Sequence, residues 1–142
     1  MPAARPLSAS ERVLLAGEIV AAYARARREL GRAPIASVMT RLRAQQGASI
    51  TPASAMATAA TLAEARRLGR AVARTLALLP GDTRCLVRSL VLTRLLARRG
   101  IQAKLVIGAR AAPDFLAHAW VEHAGDPVLA PGDGSFARLV EL

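Results

Sequence analysis

Leu86, Val87, Leu90, Val91, Leu92, Leu95 and Leu96 give the chain a helical segment that is apolar on most of its circumference. Such a helix has no broad face to offer water, so other elements must enclose it. Its limits are well marked. Pro80 and Gly81 close what comes before, and Asp82 or Thr83 can cap it by accepting a bond from a free backbone N–H. Gly100, after Arg98 and Arg99, ends it with cations on the negative end of the dipole. Cys85, the only cysteine in the chain, falls in the first turn, and Arg84 and Arg88 flank it. Helix N-termini are settings in which cysteines become nucleophiles, because unpaired N–H groups and the positive dipole end stabilise negative charge.

Taken alone, a cysteine on an apolar helix is packing, and His118 between Ala117 and Ala119 is a core histidine with its bonds satisfied. The pair reads differently. One cysteine with a histidine far along the chain, adjacent only in the fold, is the form taken by cysteine hydrolases and acyltransferases. The segment after the helix supports a fold that joins them. Residues 103–108 read as a buried strand, 111–114 as a turn or loop, 115–123 as a second strand and 128–130 as a short third. His118 and Trp120 share one face of the second strand, since side chains alternate, and the indole is expected to wall the site.

The run Cys-Leu-Val-Arg-Ser-Leu, then Arg-Arg-Gly-Ile, Leu-Val-Ile-Gly and Ala-His-Ala-Trp-Val-Glu, resembles the transglutaminase-like cysteine proteases of lasso-peptide biosynthesis, over residues 60–142. These are leader peptidases that mature microcin-type precursors. The resemblance implies a transglutaminase-like or papain-like core in which Cys85 attacks, His118 acts as its base and an aspartate orients the histidine. It also implies a precursor peptide as substrate, an ATP-dependent lasso cyclase as partner, and no cofactor. The acid of that family falls a short way after the histidine, where this chain has Ala130. Asp126 and Asp133 lie nearby. With Gly125 and Asp126 as a two-residue hairpin turn, Asp133 would stand opposite His118, and it is the favoured candidate. Asp126 in the turn itself, or a backbone carbonyl in place of any acid, are the alternatives.

The N-terminal part reads as helices. Residues 1–9 lead in; Ser10 would cap a helix to about residue 30, Pro34 would open a second ending at Gly47, and a third would span about 60–79. In the third, Leu62, Ala65, Gly69, Val72, Leu76 and Leu79 form the inward stripe, and Arg66, Arg70 and Arg74 an outward row. Phe136, Leu139 and Val140 are expected to dock the tail on the core. The expected fold is α+β in a single domain over residues 1–142, with a helical part at 1–59 and a catalytic core at 60–142. Helices pack around the cysteine-bearing helix, and that assembly packs on a small antiparallel sheet.

Composition narrows the function. The single cysteine excludes an internal disulfide and suits a reducing cytoplasm. Glu18 and Arg25 break the only N-terminal apolar stretch, and the uncharged run at 44–63 contains Gln, Gly, Ser, Thr and Pro, so neither signal peptide nor membrane span is expected. A formal charge of +10 raises nucleic acid as a partner. All but Lys104 of the 20 cations are Arg, however, and Asn is absent, a bias of GC-rich coding; the basic surface reads as a solvated face, with no nucleic-acid partner. One cysteine and two histidines at positions 85, 118 and 123 match no zinc spacing, and no phosphate-cradling glycine loop occurs. Residues 1–59 show no alternating strand pattern for capturing a leader by strand addition, so a separate leader-binding protein is expected to present the precursor. A transglutaminase-like acyl transferase and a non-catalytic basic helical module are the competing readings.

Overall fold

The computed structural model describes residues 5–49, 59–80, 85–129 and 136–141, with backbone alone at 45–49 and 140. Four helices, α1 (Ala9–Arg32), α2 (Ile35–Ser49), α3 (Ala59–Ala77) and α4 (Cys85–Arg98), precede or flank a sheet of β1 (Lys104–Arg110), β2 (Leu116–His123), β3 (Asp126–Pro127) and β4 (Ala137–Glu141). This is the α+β arrangement expected from the sequence.

Helix α1 begins one cap earlier than the sequence reading placed it. Ser8, not Ser10, is the N-cap. Its hydroxyl accepts the Glu11 N–H at 3.2 Å, while the Glu11 carboxylate accepts the Ser8 N–H at 2.7 Å. Three residues beyond Ser10 stands Val13, which cannot return such a bond, so the reciprocal capping box decides between the two serines. Those bonds hold the Glu11 carboxyl below its usual range. Helix α2 continues through Gly47 to Ser49.

Helix α4 is enclosed as its composition demands. Val87, Leu90, Val91, Leu92, Leu95 and Leu96 are all buried, together with Ser89 and Thr93, and Thr93 returns its hydroxyl to the Ser89 carbonyl at 2.7 Å. Leu68, Val72 and Leu76 of α3 and Ile19, Ala22 and Ala26 of α1 belong to the same core. Ionic ties fix α1 to α4 and the residue that follows it: Glu29 accepts from Arg94, and Glu18 lies 3.8 Å from Arg98 and accepts from Arg99 at 2.8 Å. Gly100, at φ 68°, closes α4, and the Ile101 N–H returns to the Leu96 carbonyl at 2.9 Å.

The sheet is antiparallel throughout, in the order β3-β2-β1-β4. Gly108 of β1 pairs with His118 of β2, and Ile107 with Ala119. Side chains alternate, so Leu105, Ile107, Ala119 and Val121 turn towards the helices and join their core. Val106, Gly108, His118, Trp120 and Glu122 take the other face.

Two expectations for the C-terminal part are corrected. The hairpin turn is Ala124-Gly125, both at positive φ (53° and 87°), and His123 pairs with Asp126. Positive φ at both central residues is the type I′ geometry that suits a two-residue hairpin. The third strand is therefore Asp126–Pro127; Val128 and Leu129 follow as a bend whose N–H groups both donate to the Val121 carbonyl. The tail is not merely docked. It forms β4 beside β1, with Leu139 at 64% exposure, a bulge between Ile107 and Gly108, and an Arg43 bond to the Glu141 carbonyl at 3.1 Å.

Candidate active site

Cys85 is the first described residue of α4 and is half-buried. Its Sγ accepts the backbone N–H of Ala119 at 3.4 Å. That bond sets the thiol against the edge of β2, next to His118, along a stretch that β3 does not reach, since β3 pairs only with Glu122 and His123. The thiol and the imidazole line one cavity of about 340 Å³, whose other walls are Gly69, Arg70 and Ala73 of α3, Arg88 of α4, Ala119, Val128 and Leu129. The fold thus brings together the two residues that the sequence left far apart.

His118 is held by rings. Trp120 stacks on it at 6.0 Å between centroids and 22° between planes, and Phe136 lies at 5.2 Å and 37°. Trp120 is 3% exposed and backs the imidazole without itself lining the cavity. Its indole N–H donates to Glu122 at 2.9 Å, and Arg138 donates to the same carboxylate oxygen at 2.5 Å. Phe136 was expected to anchor the tail on the core; here it packs on the imidazole, with the Arg110 guanidinium 5.5 Å from its ring.

Asp133 lies outside the described residues. The register that favoured it does not hold, because the turn falls one residue earlier than Gly125-Asp126. Asp126 is opposite His123, five residues along β2 from His118, which is about 16 Å at the rise of a strand. Its carboxylate lies 4.0 Å from Arg66. Asp126 is therefore too distant to orient the His118 ring. His123 is a structural group: buried, it bonds the Gln102 carbonyl at 2.6 Å and the Thr61 hydroxyl at 3.1 Å. Among the described residues no three His, Cys, Asp or Glu side chains converge as metal ligands.

Four wall residues were not singled out for the site by sequence: Gly69, Ala73, Val128 and Leu129. Gly69 carried a signal, since a glycine inside a helix costs about 1 kcal/mol relative to alanine and so marks a close approach. The Arg66-Arg70-Arg74 row is exposed as expected, but Arg70 also borders the cavity. A larger cleft of about 560 Å³ lies on α1 and α2, lined by Arg25, Arg28, Arg32, Arg41 and Glu29; it holds neither a thiol nor an imidazole.

The α+β frame sets a thiol at a helix start against the strand that carries an imidazole. Residues 30–141 match the Transglutaminase-like superfamily, and the chain belongs to it. That match begins well upstream of residue 60, so α2 and α3 are part of the family fold. No curated protein and no solved structure matches the chain. None of the described helices is long and apolar enough to cross a membrane.

Proposed function

We propose that the protein is a cysteine endopeptidase that removes the leader from a ribosomally made precursor peptide of the lasso type. The observation that carries the chemistry is the bond from the Ala119 N–H to Cys85 Sγ, which sets the thiol beside His118 in a shared cavity. His118 takes the thiol proton as Sγ attacks the scissile carbonyl carbon. The tetrahedral oxyanion forms near the start of α4, where the Cys85 N–H is one donor. Collapse breaks the C–N bond, His118 gives its proton to the departing amine, and an acyl-enzyme remains. Water, deprotonated by His118, then attacks the thioester, releasing a carboxylic acid and the thiol. In this reading Asp133 orients His118.

The choice of a lasso precursor rests on the sequence motifs alone. It brings two partners: a separate leader-binding protein that presents the precursor, and an ATP-dependent cyclase that closes the ring. A cytoplasmic setting follows from the lone thiol. The test is cleavage of the cognate precursor with and without the leader-binding protein, read by mass spectrometry. Loss of cleavage in Cys85→Ala and His118→Ala, and a large rate gain on adding the partner, support the reading. A new amide in place of a free carboxylate would make the protein an acyl transferase, and an unaltered precursor under all conditions would sink both.

A further inference from the structure

We propose that Glu122 is a positioning residue for His118, acting through the indole of Trp120 and clamped by Arg138 of the tail strand. The inference rests on the hydrolase reading, in which His118 moves the proton, and deepens it. Glu122 is 7% exposed. A carboxylate so deeply placed needs donors to offset its lost hydration, and one of its oxygens has two. The Trp120 Nε1–H donates to Oε1 at 2.9 Å, and an Arg138 N–H donates to the same atom at 2.5 Å. The bond from the indole decides how that ring lies. A tryptophan side chain turns about two bonds, so stops at both ends of the ring set its plane. The nitrogen end stands on Glu122. The six-membered edge lies over Gly108, where an added Cβ would be 2.8 Å from Cζ3 and 2.9 Å from Cη2. Between these stops the indole stacks on the imidazole with 22° between planes. Removing the carboxylate strands a buried N–H, which favours a turn of the ring towards another acceptor.

Strand β4 completes the frame. Gly108 is the register partner of His118 on one side and of Arg138 on the other, so the three stand in one row across the sheet. With no side chain at Gly108, Trp120 and Arg138 approach each other over β1, the guanidinium carbon lying 6.0 Å from the indole centre. Phe136, two residues before Arg138, packs on the imidazole at 5.2 Å between centroids. One short strand thus brings both a ring against His118 and the cation that clamps Glu122. Arg138 is held in turn by Glu141, which accepts from it at 2.6 Å. Charge-assisted bonds of this kind are short and directional, which suits them to fixing a carboxylate in one orientation.

The test cuts the link at three different atoms in the full chain. Glu122→Gln keeps an acceptor for the indole and loses the charge. Trp120→Phe keeps a ring beside His118 and loses the N–H. Arg138→Met removes the clamp from a side chain that is 48% exposed, so the core is spared even if a buried replacement fails to fold. Four quantities are read: the His118 ring resonances, the pH profile of Cys85 alkylation by iodoacetamide, kcat and KM on the cognate precursor, and the urea midpoint. Displaced resonances and an altered alkylation profile are expected in all three variants. The value of kcat should fall by about 10–100-fold, since misplacing a reacting group by about 1 Å costs about 10²-fold. KM should stay within about twofold, because binding of the precursor is untouched. Glu122→Gln should lose least and Glu122→Ala most. A merely structural role would lower the urea midpoint and leave the resonances and the alkylation profile at their parent values. That result in folded Glu122→Gln and Arg138→Met overturns the proposal. Displaced resonances and an altered profile in a protein that cleaves no peptide support the hold of Glu122 on His118 and overturn the hydrolase reading.

Discussion

The carbonyl oxygen of Val128 lies 2.3 Å from the point where a Cβ on Gly69 would stand. Helix α3 and the bend after β3 touch there through backbone alone, and both residues line the cavity of Cys85. The contact is between a helix and a carbonyl, so no flexible side chain can move aside. Gly69→Ala should therefore destabilise the protein by about 1–3 kcal/mol despite alanine's better helix propensity. Gly17 of α1 supplies the control. Nothing lies within 4 Å of its missing Cβ, so Gly17→Ala should stabilise by about 0.5–1 kcal/mol. Urea unfolding of both variants checks the opposite signs; stabilisation in Gly69→Ala would mean that α3 and the bend do not touch.

Gly108 plays the corresponding part on the other face of the sheet. A Cβ there would meet the Trp120 ring at 2.8 and 2.9 Å and the Ala137 carbonyl at 3.0 Å. Trp120 stacks on His118, and Gly108 is the strand partner of His118, so the glycine makes room for the ring that holds the imidazole. Gly108→Ala should displace the indole, at a cost of about 1–3 kcal/mol. Trp120 is the only tryptophan, so its fluorescence reports this site directly. A shifted emission and a moved His118 resonance are the expected outcomes; an unaltered spectrum would refute the contact.

Acid should loosen the junction of α1 and α4. The Glu18 carboxyl is held below its usual value by the hydrogen bond from Arg99, with the charges of Arg99 and Arg98 adding to it. Burial pushes the Glu29 carboxyl up, but the bonds from Arg25 and Arg94 outweigh it, and the net effect is again a lowered value. A depressed folded value means stability that is present above the unfolded value, near 4.5, and lost as pH falls through the folded one. Glu29→Gln also leaves the Arg94 guanidinium, largely buried, with a weaker partner. It should cost about 1–3 kcal/mol at pH 7, with the gap to the parent closing towards pH 3. Urea midpoints across that range test it; a gap that persists undiminished at pH 3 would show that packing, not charge, is lost.

What the sequence made legible was whatever a local pattern determines. The all-round apolar run required α4 to be enclosed, and Gly100 stopped it; the alternation along β2 put His118 and Trp120 on one face. The unique cysteine and the distant histidine, paired in the sequence by type alone, line one cavity. The features missed depend on reciprocity or register. Ser8 beats Ser10 only because Glu11 answers it. The hairpin places Ala124 at positive φ, where Asn or Gly would have advertised the turn, so the strand pairing was read one residue late. Strand β4 has Leu139 facing solvent and a bulge in its register, which blurs the alternation that would identify it. The cavity walls come from α3 and from the bend at Val128 and Leu129, segments that meet only in three dimensions.

The last prediction concerns the acid that orients His118. Asp126 is excluded by its place opposite His123 and is tied to Arg66 on the turn side of the sheet. Asp126→Asn should therefore leave precursor cleavage nearly unchanged. It weakens only one exposed ion pair, which is worth about 0–1 kcal/mol. Asp133 remains the candidate. If it accepts a bond from the His118 ring, Asp133→Asn keeps the size of the side chain but removes the charge that stabilises an imidazolium, and turnover should fall by about 10²–10⁴-fold with folding intact. The readouts are kcat on the cognate precursor and the pH dependence of Cys85 alkylation. Loss of kcat with an altered alkylation profile is the expected result. Full activity in Asp133→Asn would assign the orienting role to a backbone carbonyl instead, and a large loss in Asp126→Asn would contradict the observed register of β2 and β3.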